Sequence, residues 1–582
     1  MTKNRRGVLV TTVVFLQIWI FSGVAVAQAP ATRAAKLGDI LQYISQGWNT
    51  LTRSTTECSS VADPKLTTKP VIYLPADLPT PASITALQKQ CAVEIEHLPK
   101  VIHSPGEIDV LSIHPQGLLF LEKPYVVPGG RFNEMYGWDS YFIIVGLLRD
   151  GRIDLARDMV ENFFFEIEHY GTVLNANRTY YLTRSQPPFL TSMALGIFNA
   201  EKSQGKQDMK LLERTYQYAA KDYQMWTREP HLAGSTGLSR YYDFGEGPAP
   251  EVVHGDPQYY RKVAGYFVLH PEEAAGHIAP RNPQTAGANP ERDPSYFVQV
   301  CFENQSNGTK VGDAKSDVVN PSDRKDNGDC VPLQTVGFTP EFYKGDRAMR
   351  ESGFDPSFRF GPYDGDTHYY APVCLNSLMY KWEKDLEQIS SLLGKEADSR
   401  QWQERAENRR QAMQKYLWDE QRGTFTDYNF RTGKRSTYDY VTAYYPLWAG
   451  WATPEQARAQ ERHLGTFERA GGLAMSPVET GVQWDYPYGW APNQLVAIQG
   501  LRRYGFAADA NRLSQKFLSM VLENFRRDGT IREKYNVATR SSETHVQIGY
   551  ETNVVGFGWT NGVFLELLHE LPKDSVDRLG QQ

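Results

Sequence analysis

Apolar residues recur at steps of three and four over long stretches of this chain, a period that belongs to helices packed by one face. Ala156, Val160, Phe163 and Ile167 fall on one such face, and Gly171 closes the segment. Trp402, Ala406, Met413 and Leu417 repeat the pattern over residues 400–417. After a tryptophan-rich stretch near residue 490, Val496, Leu501 and Tyr504 share a helix that stops at Gly505. Ala510, Leu513, Phe517, Val521 and Phe525 share the next, which Asp528-Gly529 breaks. Helix, short turn, helix, longer loop is the antiparallel hairpin unit of all-α folds. Several such units predict a bundle or a closed ring of helix pairs. No alternation of strand and helix points to a parallel sheet.

One region departs from this order. Residues 262–340 are rich in Pro, Gly, Asn and Asp, as in Pro280-Arg281-Asn282-Pro283, and read as an irregular surface insertion. The domain plan expected is therefore a leader over 1–27, an N-terminal segment over 28–60, and a catalytic domain over 61–575 interrupted at about 262–340. The leader reading rests on Lys3, Arg5 and Arg6, an apolar run to about Val26 and the small-residue site Ala25-Val26-Ala27. It predicts a cleaved signal peptide and a periplasmic or secreted protein without stable membrane insertion. An uncleaved anchor is the rival, because the run is nearly long enough to span a bilayer.

A net charge of -6 gives no electrostatic footprint for nucleic acid. The chain has five cysteines. Cys58 with Cys91, and Cys301 with Cys330, each bracket a polar loop and are candidate pairs, although connectivity does not follow from sequence. Cys374 lies in an apolar stretch and reads as a buried free thiol. His270-Pro271-Glu272-Glu273 leads to His277 at the wrong spacing for a metal site, so no metal is expected.

Two segments mix helix breakers, indole rings and charges in a way plain structure does not require. One runs from Pro128-Gly129-Gly130-Arg131-Phe132 through Glu134, Tyr136 and Trp138 to Asp139. The other is Gln483-Trp484-Asp485-Tyr486-Pro487-Tyr488-Gly489-Trp490. Rings to stack on, with Asp, Asn, Gln and Arg to bond hydroxyls, suit a carbohydrate site. Four more segments carry similar residues: Asn175 to Arg178 with Arg184-Ser185-Gln186, Glu351 to Arg359, Arg532-Glu533-Lys534-Tyr535, and Glu551 with Gly556 to Gly562. Each alone has an ordinary reading. An Asp in a loop commonly caps or turns, an Arg beside carboxylates commonly makes a salt bridge, and a Trp is commonly core.

Together the first two segments resemble the two signature motifs of the trehalase family, glycoside hydrolase family 37, and the resemblance extends over residues 60–570 apart from the insertion. It implies an (α/α)6 barrel, in agreement with the helical hairpins. It implies an inverting hydrolase that cleaves α,α-trehalose to two glucose molecules with two carboxylates and no cofactor. Asp355, in Ser-Gly-aromatic-Asp with Phe354 where Trp is usual, takes the place of the general acid. Glu533, in Glu-Lys-Tyr, takes that of the general base. Inversion calls for carboxyl groups roughly 6.5–9.5 Å apart, with room for water between base and sugar.

The same resemblance assigns substrate contacts to Arg131, Phe132, Tyr136, Trp138, Asp139, Asn175, Arg184, Gln186, Glu251, Gln483, Trp484 and Glu551. One position departs. Where the family has Arg-x-Glu, this chain has Ala249-Pro250-Glu251, and Arg240 upstream is the arginine nearest at hand. That change and the insertion keep two alternatives open: a related barrel acting on another α-glucoside, and a sugar-binding homologue without catalysis. A small disaccharide is the expected partner, and the chain is expected to be a monomer.

Overall fold

The computed structural model describes residues 36–61, 69–256, 258–284, 291–298, 334–549 and 552–581. The expected periodicity becomes helix, with Leu417 and Tyr504 as the C-cap residues just past the ends of Glu396–Tyr416 and Ala491–Arg503. Helix Ile153–His169 buries Ala156, Val160, Phe163 and Ile167. Helix Ala507–Asp528 buries Ala510, Leu513, Phe517, Val521 and Phe525 and ends on Gly529, whose φ of 66° is left-handed. Caps set other starts. The Asp208 carboxylate accepts the N–H groups of Lys210 and Leu211 at the head of Met209–Trp226. Thr453 and Gln456 form a reciprocal capping box on Pro454–Arg462.

The helices form two concentric rings. Among the described residues, Asp139–Arg149, Leu190–Ser203, Val373–Leu392, Tyr445–Ala449, Ala491–Arg503 and Gly558–Glu570 pack each on the next, and the last packs back on the first. Ile153–His169, Met209–Trp226, Glu396–Tyr416, Ala507–Asp528 and Leu37–Leu51 lie outside them. Pro454–Arg462 follows the short inner helix, and its Gln460 carbonyl accepts the buried Tyr444 hydroxyl. This is an (α/α)6 barrel. Leu37–Leu51 buries Ile40, Ile44 and Trp48 against the barrel, so this helix, from the stretch read as an N-terminal segment, is part of the wall.

The ring closes on two glycines. A Cβ on Gly146 would lie 2.4 Å from the Gly562 Cα, and one on Gly562 would lie 2.0 Å from the Phe142 carbonyl oxygen. These are backbone atoms of facing helices, which have no flexible end to move aside.

Two regions differ from the sequence reading. A small parallel sheet precedes the barrel, with Val71–Leu74 between Glu94–His97 and Leu118–Leu119. The expected insertion is not wholly irregular. Helix Gln258–Leu269 runs into it, and Gln334–Phe338 pairs antiparallel with Ile278–Pro280 and with Ser295–Val298. These strands are three to five residues long and lie among Pro and Gly, too short to show a period. Together with Pro340–Ser352 they enclose a second apolar cluster around Tyr259, Tyr260, Val263, Phe267, Phe338 and Phe342. Cys58 and Cys91 form a disulfide with Cα atoms 5.8 Å apart, and Cys374 is a buried thiol. The suggested Cys301–Cys330 pair lies outside the described residues.

Replacing Gly562 with Ala is expected to destabilise the protein by about 3 kcal/mol, since the methyl meets backbone on the facing helix. Thermal unfolding of Gly562→Ala beside Gly196→Ala, which has only a side-chain neighbour at 3.4 Å, measures this.

Candidate active site

The loops that enter the inner helices gather at one end of the ring. Segment 128–138 precedes Asp139–Arg149, residues 175–189 precede Leu190–Ser203, 355–372 precede Val373–Leu392, 483–490 precede Ala491–Arg503, and 533–557 precede Gly558–Glu570. Every signature segment is thus delivered to the N-terminal ends of the inner ring. They surround a cleft of about 650 Å³ of open space.

The sequence-predicted residues Phe132, Tyr136, Trp138, Asp139, Asn175 and Arg184 line this cleft. So do Gln186, Glu251, Gln483, Trp484, Asp355 and Glu533. Arg131 is exposed beside the cleft, its guanidinium 4.9 Å from the Phe132 ring centre, and its charge reaches Glu533. Glu551 lies outside the described residues.

The floor is aromatic. Trp484 and Trp490 stack with centroids 3.9 Å apart and planes 5° from parallel. Trp559 meets both edge-on, and Trp138 meets Trp484 and Trp559. Trp138 and Trp484 are only 2% exposed, so they serve first as packed floor and offer a sugar little surface. Phe354 fits where Trp is usual by packing edge-on against both indoles.

Asp355 follows the end of helix Pro340–Ser352. Gly353 ends that helix at φ 77°, and a Cβ there would lie 2.9 Å from the Trp138 ring. The loop is pinned from outside: the Gln483 side-chain amide donates to the Asp355 carbonyl, and the Trp484 N–H donates to the Pro356 carbonyl at 3.3 Å. Glu533 stands just before strand Lys534–Asn536, which pairs with Tyr488–Trp490 so that Trp490 faces Lys534. Its N–H donates to the Val554 carbonyl, and its carbonyl accepts the Trp559 indole N–H at 3.1 Å. The buried Lys534 ammonium donates to Gln483 Oε1 at 2.9 Å, so one glutamine ties the Glu533 strand to the Asp355 loop. Gln186 braces the other signature segment in a similar way, its Oε1 accepting the Trp138 N–H at 2.9 Å.

Burial pushes the Asp355 carboxyl up to about 6, against the pull of Arg350 and Arg184 and with some help from Glu251. Burial also raises Glu533, while Lys534 and Arg131 pull it back. Asp139 is raised well above the usual carboxylate range by burial and by the charges of Glu533 and Asp355. Asp355 thus holds its proton into the weakly acidic range, and Glu533 is raised as well, with burial outweighing the two cations beside each.

Arg184 holds the opposite wall. It donates to Glu251 Oε1 at 2.5 Å and to Asn175 Oδ1 at 3.0 Å, and it lies 3.5 Å from the Asp243 carboxylate. Glu251 Oε2 is buried without a hydrogen-bond partner in the protein, an acceptor left for a ligand hydroxyl.

Arg240 is not in the cleft: it donates to the carbonyls of Pro230 and His368 and lies over Tyr242 and Phe430. The arginine that lines the cleft instead is Arg350, with Nη1 3.7 Å from an Asp355 oxygen. Sequence reasoning missed it, together with Tyr181. Its one signal was its place five residues before Asp355.

The trehalase family model matches residues 44–277 and 336–572. The chain belongs to the trehalase family. A probable trehalase of Eremothecium gossypii is 36% identical over 89% of this chain and 71% of its own length. The cytosolic neutral trehalase of Saccharomyces cerevisiae is 35% identical over 90% of this chain and 70% of its own. The solved neutral trehalase Nth1 from Saccharomyces cerevisiae superposes with a TM-score of 0.72 at 32% identity, covering 94% of this chain and 96% of that one. Trehalases are glycoside hydrolases, so this family member is an enzyme of that class.

The comparisons overturn the expectation of a periplasmic or secreted protein. Relatives from Saccharomyces cerevisiae, Kluyveromyces lactis and Neurospora crassa are named cytosolic neutral trehalases. The export reading rested on the composition of residues 1–27, which lie outside the described residues, and a basic start with an apolar run does not by itself fix a destination. Among the described residues no helix is long and apolar enough to cross a membrane.

The raised Asp355 gives a test with a definite sign. Its value moves from the ordinary 3.8 to about 6 on folding. The folded state therefore binds this proton more tightly, and the stability it contributes is fully present below pH 3.8 and lost as pH rises through about 6. Asp355→Asn removes the buried charge. Its gain in stability over wild type is expected to grow across that window to on the order of 2 kcal/mol at pH 8, read from melting temperatures across pH.

Proposed function

We propose that this enzyme hydrolyses α,α-trehalose with inversion, Asp355 acting as general acid and Glu533 as general base. The observation that carries the reading is the convergence of these two carboxyls, from distant parts of a trehalase-family chain, on one aromatic-floored cleft. Asp355, held protonated by burial, donates its proton to the glycosidic oxygen as the C–O bond breaks. Glu533, its charge favoured by Lys534 and Arg131, takes a proton from water as that water attacks the anomeric carbon from the other face. The attacked glucose leaves as the β anomer and the other keeps its α configuration.

Arg184, Asn175 and Glu251 form a polar wall suited to sugar hydroxyls. A ligand lacking those hydroxyls would leave buried groups unpaired, which is how such a wall selects its substrate. The relatives' names support trehalose as that substrate.

Glucose release is expected from trehalose and not from maltose, sucrose or kojibiose. Asp355→Asn and Glu533→Gln are each expected to lose at least about 10²-fold in kcat, the usual size of an acid or base contribution. Early-time NMR should show α- and β-glucose in equal amounts. Release from another glucoside, with trehalose untouched, would overturn the named substrate. Excess early α-glucose would overturn inversion.

A further inference from the structure

Arg350 is held in a way that its neighbours on helix Pro340–Ser352 do not require. Its Nε and Nη2 donate to the two oxygens of Asp346 at 3.1 and 3.0 Å, while Nη1 is turned to Asp355. Asp346 is fully buried and also accepts the hydroxyls of Tyr259 at 3.0 Å and Tyr260 at 2.8 Å. The Tyr260 oxygen in turn accepts the N–H of Ala249 at 2.9 Å. Ala249 caps the short helix Pro250–Gly255, whose Glu251 pairs with Arg184 on the cleft wall. One chain of hydrogen bonds thus runs from the cap of the Glu251 helix, through Tyr260 and Asp346, to the guanidinium beside the carboxyl of Asp355. Behind it, Tyr296 and Phe338 pack on the Tyr260 ring with centroids 6.3 and 5.7 Å away. Tyr296 belongs to the stretch 278–335 that the family model does not match.

We propose that Tyr260 and Asp346 are positioning residues that hold Arg350 with one nitrogen free on the cleft side, where it restrains Asp355 and meets a hydroxyl of the bound sugar. A guanidinium bound through Nε and Nη2, along one edge, to a buried carboxylate presents its remaining nitrogen in a fixed direction. Ala249 serves this arrangement through its backbone. Its methyl is buried in the apolar cluster, and its N–H orients the Tyr260 hydroxyl toward Asp346.

The charged groups acting on Asp355 come from several elements: Arg350 from its own helix, Arg184 and Glu251 from the opposite wall, Asp139 from the inner ring and Lys534 from the Glu533 strand. Of these, Arg350 depends on Tyr260. Removing the Tyr260 hydroxyl takes one donor from Asp346, so Arg350 is drawn further onto Asp346 and away from Asp355. The proton on Asp355 is then held more tightly.

The inference rests on the hydrolase reading above, and wild-type turnover of trehalose tests that reading separately. For the inference itself, Tyr260→Phe and Arg350→Lys are compared with Val263→Ala, a buried residue of the same helix as Tyr260 that takes no part in the hydrogen bonds. Both test variants are expected to raise KM several-fold and to move the basic limb of kcat/KM to higher pH by several tenths of a unit. Val263→Ala is expected to lower the melting temperature and leave both readouts alone. Trehalose binding by calorimetry in a Glu533→Gln background should weaken several-fold with Tyr260→Phe, a readout that does not need turnover. The proposal is overturned if Tyr260→Phe changes only stability, or if Val263→Ala moves KM and the pH limb as far as Tyr260→Phe does.

Discussion

The rest of the structure depends on the contact between helices Asp139–Arg149 and Gly558–Glu570. Gly146 and Gly562 let these backbones approach until no side chain fits between them, and that approach closes the inner ring. Only a closed ring fixes its entering loops against one another. Asp355 and Glu533 are far apart in sequence and meet because each precedes a helix of that ring, Val373–Leu392 in one case and Gly558–Glu570 in the other. A packed ring has few soft directions, since interiors this dense transmit displacement rather than absorb it.

Within that frame the cleft alternates acids and cations. Asp139, Asp355, Glu251 and Glu533 line it, and Arg184 and Arg350 stand among them. Taken out of water, each carboxylate would resist ionisation, and the cations decide how far each does. Asp355 keeps its proton to about 6 although two arginines oppose it, and Glu533 has a lysine and an arginine on its side. Burial raises both carboxyls, and on each two cations oppose the rise, Arg350 and Arg184 on Asp355 and Lys534 and Arg131 on Glu533. The cost falls on stability, as at many sites that hold charge in a dry place.

The sequence was informative where a period or a motif is local. Helices such as Ile153–His169 and Ala507–Asp528 follow from residues three and four apart, and the cleft-lining side chains from Phe132 to Glu533 from motif residues that form plain structure poorly. The Cys58–Cys91 pair was one guess among several connectivities, and the structure contains it. Arg350 escaped notice because Asp346 stands four residues before it, the spacing of an ordinary solvated helix pair. Only the fold shows that both are buried and that the arginine has a third direction to face. The strands Ile278–Pro280 and Ser295–Val298 escaped for another reason: their pairing partner, Gln334–Phe338, lies tens of residues away in sequence. The N-terminal run misled because hydropathy records how apolar a segment is and nothing about where the chain goes.

Gln483 has a consequence for how such an enzyme tolerates motion. Its amide group grips the Asp355 carbonyl on one side and the Lys534 ammonium on the other. A thermal shift of the strand beside Glu533 therefore carries the Asp355 loop with it. On the proposed reading, the segments that carry the acid and the base are thus tied to one another and not left on independent loops. In an inverting hydrolase the spacing of the two carboxyls decides whether a water fits between carboxylate and sugar.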